Sequence, residues 1–571
     1  MKKLILTTCS LALAACMICS AQELPDTSSG GTLKPAAEGN AYLDYLLGHE
    51  AEIAGKWETA LGHYRGALKA EPNDMQLRLR IVRILVKLGR MEDALNELQT
   101  VVKAEPENIP ALMQMAELYN SQKQADKAIS LYEQIISLDA DRKEPYLYLG
   151  ALYFARGEEK KARAIFDKLL KKDPENFVAL YYIGSMYLER KDYAKAKEYY
   201  HKSLEINPHF DASYVSLGVI GEMMSDPKVA NENYQKALEI NPNNLFVRER
   251  LTQLYLSDSD YKKAIGELET ILKQRPMSLD LHFRLGMLYM QEREYEKAIA
   301  ELRMVTNARP EDIPARFYLA VALEELKRYP ESIEEFKQII NLDPRHYNSF
   351  MNLGFVYAKT EQLDKAVRIY EEVLSFEKTK PEVYAYLGNA YTQIKDFDKA
   401  EAVLKDGLAR FKENDELLFT MAVFYEKTQR FDDMVAFLRR TIAQNPKHAD
   451  ALNYLGYSFA EKGINLEEAL TLIQAALALK PEAGYIVDSL GWVYFRLGRL
   501  DDALRELKRA AEMVRDDPVL FEHLGDVYEA KGMLADAVVS WRESLKFEKK
   551  EAGLKERVEE KINRTMKMLK P

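Results

Sequence analysis

The sequence predicts an all-α array of about fifteen stacked units with a final helix over its end, and three observations carry that prediction. Small residues recur at Gly150, Gly184, Gly218, Gly286, Gly354, Gly388 and Gly456, every pair separated by 34 residues or a multiple of it. Twelve residues after that place runs a second column: Ala60, Ala94, Ala128, Ala162, Ala196, Ala230, Ala264, Ala298, Ser332, Ala366, Ala400, Met434, Ala469, Ala503 and Ala537, thirteen of fifteen being alanine. Composition agrees, since 47% hydrophobic with 30% charged residues describes a soluble helical chain. At 571 residues, length here counts repeats rather than globular domains.

This period with its Gly, Tyr, Ala and Pro pattern resembles the tetratricopeptide repeat. The resemblance implies that each unit is a helix, a turn and a second helix, and that the array is a solenoid, a superhelix of such hairpins. The first unit, 41–74, carries Gly48, Gly55, Trp57, Ala60, Tyr64, Ala67 and Pro72. Counting on by 34 gives units from 75 to 449 without a slip. The thirteenth gains one residue at Ile464-Asn465, and units begin again at 484 and 518, so the array covers 41–551. Alanine recurs because only a side chain of about one methyl fits where two helices cross closely. Tyr119, Tyr153, Tyr187, Tyr255, Tyr289, Tyr357, Tyr391 and Tyr425 fall one helical turn after the glycine place and fill the space between helices.

Proline marks the boundaries between units, from Pro72 and Pro106 to Pro446 and Pro481. It lacks an amide donor and clashes with the preceding turn. Ala140, Lys378, Lys412 and Arg515 stand at that place instead, which predicts less sharply turned boundaries. Pro227 and Pro330 sit where a second helix begins, a position that accepts proline.

Residues 1–21 read as an export signal: Lys2-Lys3, an apolar run from Leu4 to Ile18 too short to span a bilayer, then Cys19-Ser20-Ala21. Within it Leu13-Ala14-Ala15-Cys16 resembles a bacterial lipobox, which implies lipidation of Cys16 and an outer-membrane lipoprotein facing the periplasm. Cleavage after Ala21 is the competing reading and leaves a soluble periplasmic protein. Residues 22–40, with Ser28-Ser29-Gly30-Gly31 between two prolines, read as a flexible linker reaching roughly 25 Å. At the other end, 552–571 reads as a capping helix with Leu554, Val558, Ile562, Met566 and Leu569 on one apolar stripe.

Several function classes are excluded on composition and spacing. A net charge of −10 removes the electrostatic basis for non-specific nucleic-acid binding. All three cysteines (Cys9, Cys16, Cys19) lie in the leader, so no thiolate metal site is expected in the body. His49-Glu50 begins like a zinc-protease helix, but Ile53 stands where the second ligand belongs. His209, His346 and His448 follow boundary prolines, which places them on exposed turns. No phosphate loop or nucleophile elbow occurs, and neighbouring acids such as Glu324-Glu325 face different directions. No enzyme activity, cofactor or metal is expected.

What remains is a surface for proteins. In tetratricopeptide proteins the first helices line the inner face, and there Phe283, Met287, Phe317, Met351, Phe355, Phe419, Tyr457 and Trp492 make an apolar strip across units eight to fourteen. Aromatic and Met residues anchor interfaces, although several of these rings have packing between units as an equal use. A clamp of Lys, Asn and Arg for a terminal carboxylate is not expected, because Tyr181, Val215, Phe283 and Phe317 hold the corresponding places.

Residues 449–545 narrow the resemblance. Ala451-Leu452-Asn453-Tyr454-Leu455-Gly456-Tyr457, Glu467-Glu468-Ala469-Leu470, Asp488-Ser489-Leu490-Gly491-Trp492-Val493-Tyr494 and His523-Leu524-Gly525-Asp526-Val527-Tyr528 are similar to bacterial envelope repeat proteins. Among these are lipoproteins that act as adaptors of a carboxyl-terminal processing protease, gathering cell-wall hydrolases. The resemblance implies a non-enzymatic scaffold or adaptor with proteins as partners. The alternatives are an assembly factor for a pilus, secretion or exopolysaccharide export system, and an accessory subunit of an envelope enzyme.

Overall fold

The computed structural model describes residues 38–551 and 553–569; Cys16, the leader and nearly all of the linker lie outside the described residues. Those residues form 31 α-helices, a short 3-10 turn and no strand. The first helix begins at Glu38, inside the segment that composition reads as linker.

The chain divides into two compact units between Met277 and Ser278. The first holds seven helical hairpins, from Glu38–Ile53 with Trp57–Ala70 to Leu245–Ser257 with Tyr261–Gln274. The second holds eight, from Leu279–Gln291 with Tyr295–Ala308 to Pro518–Ala530 with Leu534–Leu545, followed by the final helix Leu554–Met568. Nothing in the sequence period marks the division.

Within a hairpin the two sequence columns do complementary work. Every alanine of the second column is fully buried where the helices cross. A Cβ at the glycine place would collide with a large side chain sixteen residues on, in the second helix. At Gly150 it would lie 2.6 Å from the Phe166 ring, and at Gly388 2.6 Å from Leu404 Cγ. Glycine is therefore required because a bulky partner, Tyr64, Phe166, Tyr200, Tyr234 or Trp541, fills the gap.

The tyrosine column reaches further than the hairpin it belongs to. Tyr153 donates to Glu133 Oε1 at 2.7 Å, Tyr255 donates to Asn231 Oδ1 at 3.0 Å, and Tyr391 donates to Glu371, in each case on the preceding second helix. These rings join one hairpin to the last. In the sixth hairpin Gly221 takes the tyrosine's place, and the backbone nitrogen of Ala230 stands 2.6 Å from where its Cβ would be.

Each of the fifteen turns inside a hairpin carries a left-handed residue at its fifteenth place. Glycine supplies it at Gly55, Gly89, Gly157, Gly463, Gly498 and Gly532, whereas Lys, Ser, Arg, Glu or Gln adopts φ near +60° in the other nine, as at Arg293 and Glu361. The extra residue of the thirteenth unit sits beside such a turn, where the first helix Ala449–Lys462 runs one residue longer and Asn465 also takes φ +49°. Boundaries between hairpins are capped by Asp74, Asn108, Asn176, Asn244, Asp312 and Asn414, each accepting from an amide three residues on.

Three expectations change. The boundaries at Lys378, Lys412 and Arg515 leave the same four residues between helices as the proline boundaries do, and Glu413 turns the chain through φ +60° instead. His448 is not on an exposed turn: at 8% exposed it caps Ala449–Lys462, its Nδ1 accepting from the Ala451 amide at 3.1 Å. The final helix buries Leu554, Val558 and Ile562 against Ala537, Val538 and Trp541, but Met566 and Leu569 are exposed and Thr565 is buried in their stead. Polar contacts explain that exchange, because Thr565 Oγ1 donates to Glu529 Oε1 at 2.8 Å.

Candidate protein-binding surface

All eight strip residues lie on first helices of the second unit, and most are engaged by a neighbouring hairpin. The Phe283 ring meets Tyr318 edge-on at 6.2 Å; Phe317 meets Phe336 and His346, both at 5.9 Å. Phe419 lies 4.8 Å from His448 and 6.0 Å from Tyr454. Met287, Met351 and Tyr457 are half-buried, Met351 against Phe350 and Val383. Burial, with Glu461 and Asp488 nearby, pushes the Tyr457 hydroxyl pKa well up, so it stays a neutral donor.

Trp492 requires a correction. It is 8% exposed, stacked on His523 at 4.0 Å and 15°, and on Phe495 at 5.0 Å. A ring so nearly buried offers a partner almost no area, so Trp492 is packing. Phe355 is the opposite case, 41% exposed with only the Lys359 ammonium 5.3 Å above its ring.

Phe355 opens onto a cleft of about 290 Å³, large enough for one or two side chains. Its walls are the helices Tyr347–Lys359, Leu363–Phe376 and Pro381–Gln393, which bring Phe355, Lys359, Tyr370, Tyr386, Asn389 and Gln393 together. Tyr386, 44% exposed, stacks on the buried Tyr370 at 5.7 Å, so its ring is held rigid while one side faces solvent. Sequence reasoning missed Tyr386 because it lies off the glycine-centred strip; the signal was a stretch with three tyrosines, Tyr384-Ala385-Tyr386-Leu387-Gly388-Asn389-Ala390-Tyr391, where the tyrosine column uses Tyr391 alone. Rigid rings beside Asn389 and Gln393 amides can bury an apolar side chain and hydrogen-bond its backbone. Among the described residues no group of three His, Cys, Asp or Glu side chains is placed to hold a metal ion.

Comparison with known families identifies part of the array. Models described as tetratricopeptide repeat match residues 255–323, 357–412 and 395–455, residues 314–346, and residues 489–546. These stretches carry tetratricopeptide repeats. Residues 54–241 match a model described as the tetratricopeptide repeat protein 21 N-terminal ARM repeat, although the alanine column runs through them in the same register. A tetratricopeptide-repeat-containing protein of Pseudomonas aeruginosa is 42% identical over 88 residues, covering 15% of this chain and 15% of that protein's length. Two solved structures also align: the APC/C hetero-tetramer Cut9-Hcn1, at 13% identity over 92% of this chain and 96% of that one, and yeast Tom70, at 16% over 81% and 96%. The TM-score is 0.39 for each.

Proposed function

We propose that this chain is a non-enzymatic scaffold of the bacterial cell envelope that holds partner proteins against the first helices of its second unit, and that it presents substrates to a periplasmic protease. Tetratricopeptide repeats suggest a protein-interaction scaffold, and the observation that carries the reading to particular residues is the cleft between Phe355 and Tyr386. Here two large rings on first helices are open to solvent and one of them, Tyr386, is held rigid, the combination that anchors interfaces. The envelope address rests on the leader and on Cys16; the protease role rests on the resemblance of residues 449–545. A pull-down of the full chain from envelope extracts tests the partner class. Recovery of a protease together with cell-wall hydrolases supports the adaptor, whereas secretin or polysaccharide-synthase components would replace it with an assembly factor.

The anchor has its own test. Cys16→Ala is expected to move the protein from the membrane fraction to the soluble fraction, because a single thioether-linked lipid group is the attachment proposed. An unchanged distribution, read by immunoblot of fractionated cells, removes the anchor.

A further inference from the structure

Near the end of the second unit a larger cleft, about 510 Å³, opens between the helices Ala449–Lys462, Gly484–Arg496 and Pro518–Ala530. Its walls combine three tyrosines, Tyr454, Tyr457 and Tyr485, with the carboxylates of Asp488, Asp516, Asp517 and Glu551. One cation, Lys550, lies at its edge and binds Asp516 through the carboxylate at 2.5 Å and the carbonyl at 2.8 Å. Asp488 is matched by the buried His523, whose Nδ1 is 3.0 Å away. Asp517 receives only the Val519 and Leu520 amides, as a helix cap. Negative charge is therefore left over.

A second observation is independent of charge. Asn453, 9% exposed and lining the same cleft, has a buried carboxamide oxygen with no hydrogen-bond partner. A buried acceptor left empty is destabilising, so the cleft lacks a donor as well as a cation. Both deficits, beside tyrosine faces, are met by one chemical group. A guanidinium is planar, always charged and carries five N–H donors; it can donate to Asn453 and to a carboxylate while lying on a ring. An ammonium supplies the charge without the plane.

We propose that this cleft binds an arginine side chain presented by an exposed, extended segment of a partner protein, with Asn453 and Asp516 as its polar contacts and Lys550 as an internal competitor. The proposal rests on the reading of the chain as a protein scaffold. It places an acidic site for a basic side chain some repeats away from the apolar cleft at Phe355, so one partner segment can be gripped by chemistry of two kinds.

The test titrates the full-length protein with the blocked, fluorescein-labelled peptide Gly-Ser-Arg-Arg-Ser-Gly, its citrulline counterpart and free spermine, read by fluorescence polarisation at low salt. The arginine peptide is expected to bind at least about tenfold more tightly than the neutral citrulline peptide, and to weaken as salt rises. Asn453→Ala and Asp516→Asn are each expected to weaken it about fivefold, while Lys550→Ala, which removes the competitor from an exposed side chain, is expected to tighten it about fivefold. Equal affinity for the arginine and citrulline peptides overturns the proposal, as does a Lys550→Ala protein that binds no more tightly. Tighter binding of spermine than of peptide assigns the cleft to a small polycation instead. Because the peptide needs no cellular partner, its failure while envelope partners are still captured removes this inference alone; peptide binding without such capture removes the scaffold reading of the Phe355 cleft and leaves this one.

Discussion

Gly221→Leu is expected to destabilise the sixth hairpin by about 3 kcal/mol or more, the upper range for forcing volume into a packed site. The reason is what the new side chain meets. At the other crowded glycines of the array the first atom a Cβ would meet belongs to a side chain, but at Gly221 it meets the Ala230 nitrogen at 2.6 Å and Ala230 Cα at 2.9 Å. Neither can rotate aside, so the helices Asp211–Met223 and Pro227–Ile240 must separate, and fully buried Tyr234 loses its packing with them. Hydrogen exchange resolved by peptide mass is the measurement, with rapid exchange expected in both helices. Gly266→Ala is the control in the same unit: nothing lies within 4 Å of its Cβ position, and a helix-favouring residue should gain roughly 0.5–1 kcal/mol. Equal protection in the Gly221 variant and the wild type would mean that the close approach is not a constraint.

Lys561→Met is expected to release the final helix from the end of the array, lowering its docking stability at neutral pH by about 3 kcal/mol. Lys561 Nζ donates to Glu522 Oε1 at 2.8 Å and to Asp526 at 2.6 and 2.7 Å, bridging two carboxylates that face the helix together. Burial pushes the Glu522 carboxyl up, but hydrogen bonds from Arg557 and Lys561 outweigh it and hold the group below the usual range. Asp526 goes the other way, since its burial exceeds what Lys561 and the Trp541 indole return, and its pKa is raised. The two therefore have opposite pH signs. Glu522 contributes stability that is present above the unfolded value, about 4.3, and lost as pH falls through its depressed folded value. Asp526 binds its proton more tightly folded than unfolded, so its contribution falls as pH rises through its raised value. Without Lys561 the charged Asp526 is the main penalty, and acidifying toward its ordinary value near 3.9 should shrink the gap between variant and wild type. Exchange protection of Leu554–Met568 across that pH range checks both signs. A gap that widens in acid contradicts the assignment.

How much of this was legible beforehand follows from what a fixed period can encode. A repeat of 34 returns each place to the same neighbours, so Ala60 and Ala400 could be read as crossing points without coordinates, and both are fully buried. The period does not encode a backbone conformation that side chains tolerate. Nine of the left-handed turns therefore hide behind Lys, Ser, Arg, Glu and Gln. It is equally silent on whether a ring at an inward place is used by the next hairpin. Phe317 and Phe355 read alike in sequence, yet Tyr318, Phe336 and His346 surround the first while the second stands open. Trp492 was misplaced for the same reason, because its cover is His523, a residue 31 positions on in a neighbouring hairpin. Tyr386 was missed because its support, Tyr370, belongs to the preceding second helix.

The central claim is that partners are held at the cleft between Phe355 and Tyr386, and the most direct measurement is co-purification from envelope extracts with the Phe355→Asp, Tyr386→Asp double variant beside the wild type. Phe355 is 41% and Tyr386 44% exposed and neither belongs to the buried core, so helicity and melting should be largely unchanged while recovery of the partners falls by at least about tenfold, as for the loss of a paired hot spot. Undiminished recovery by a folded double variant would contradict the account.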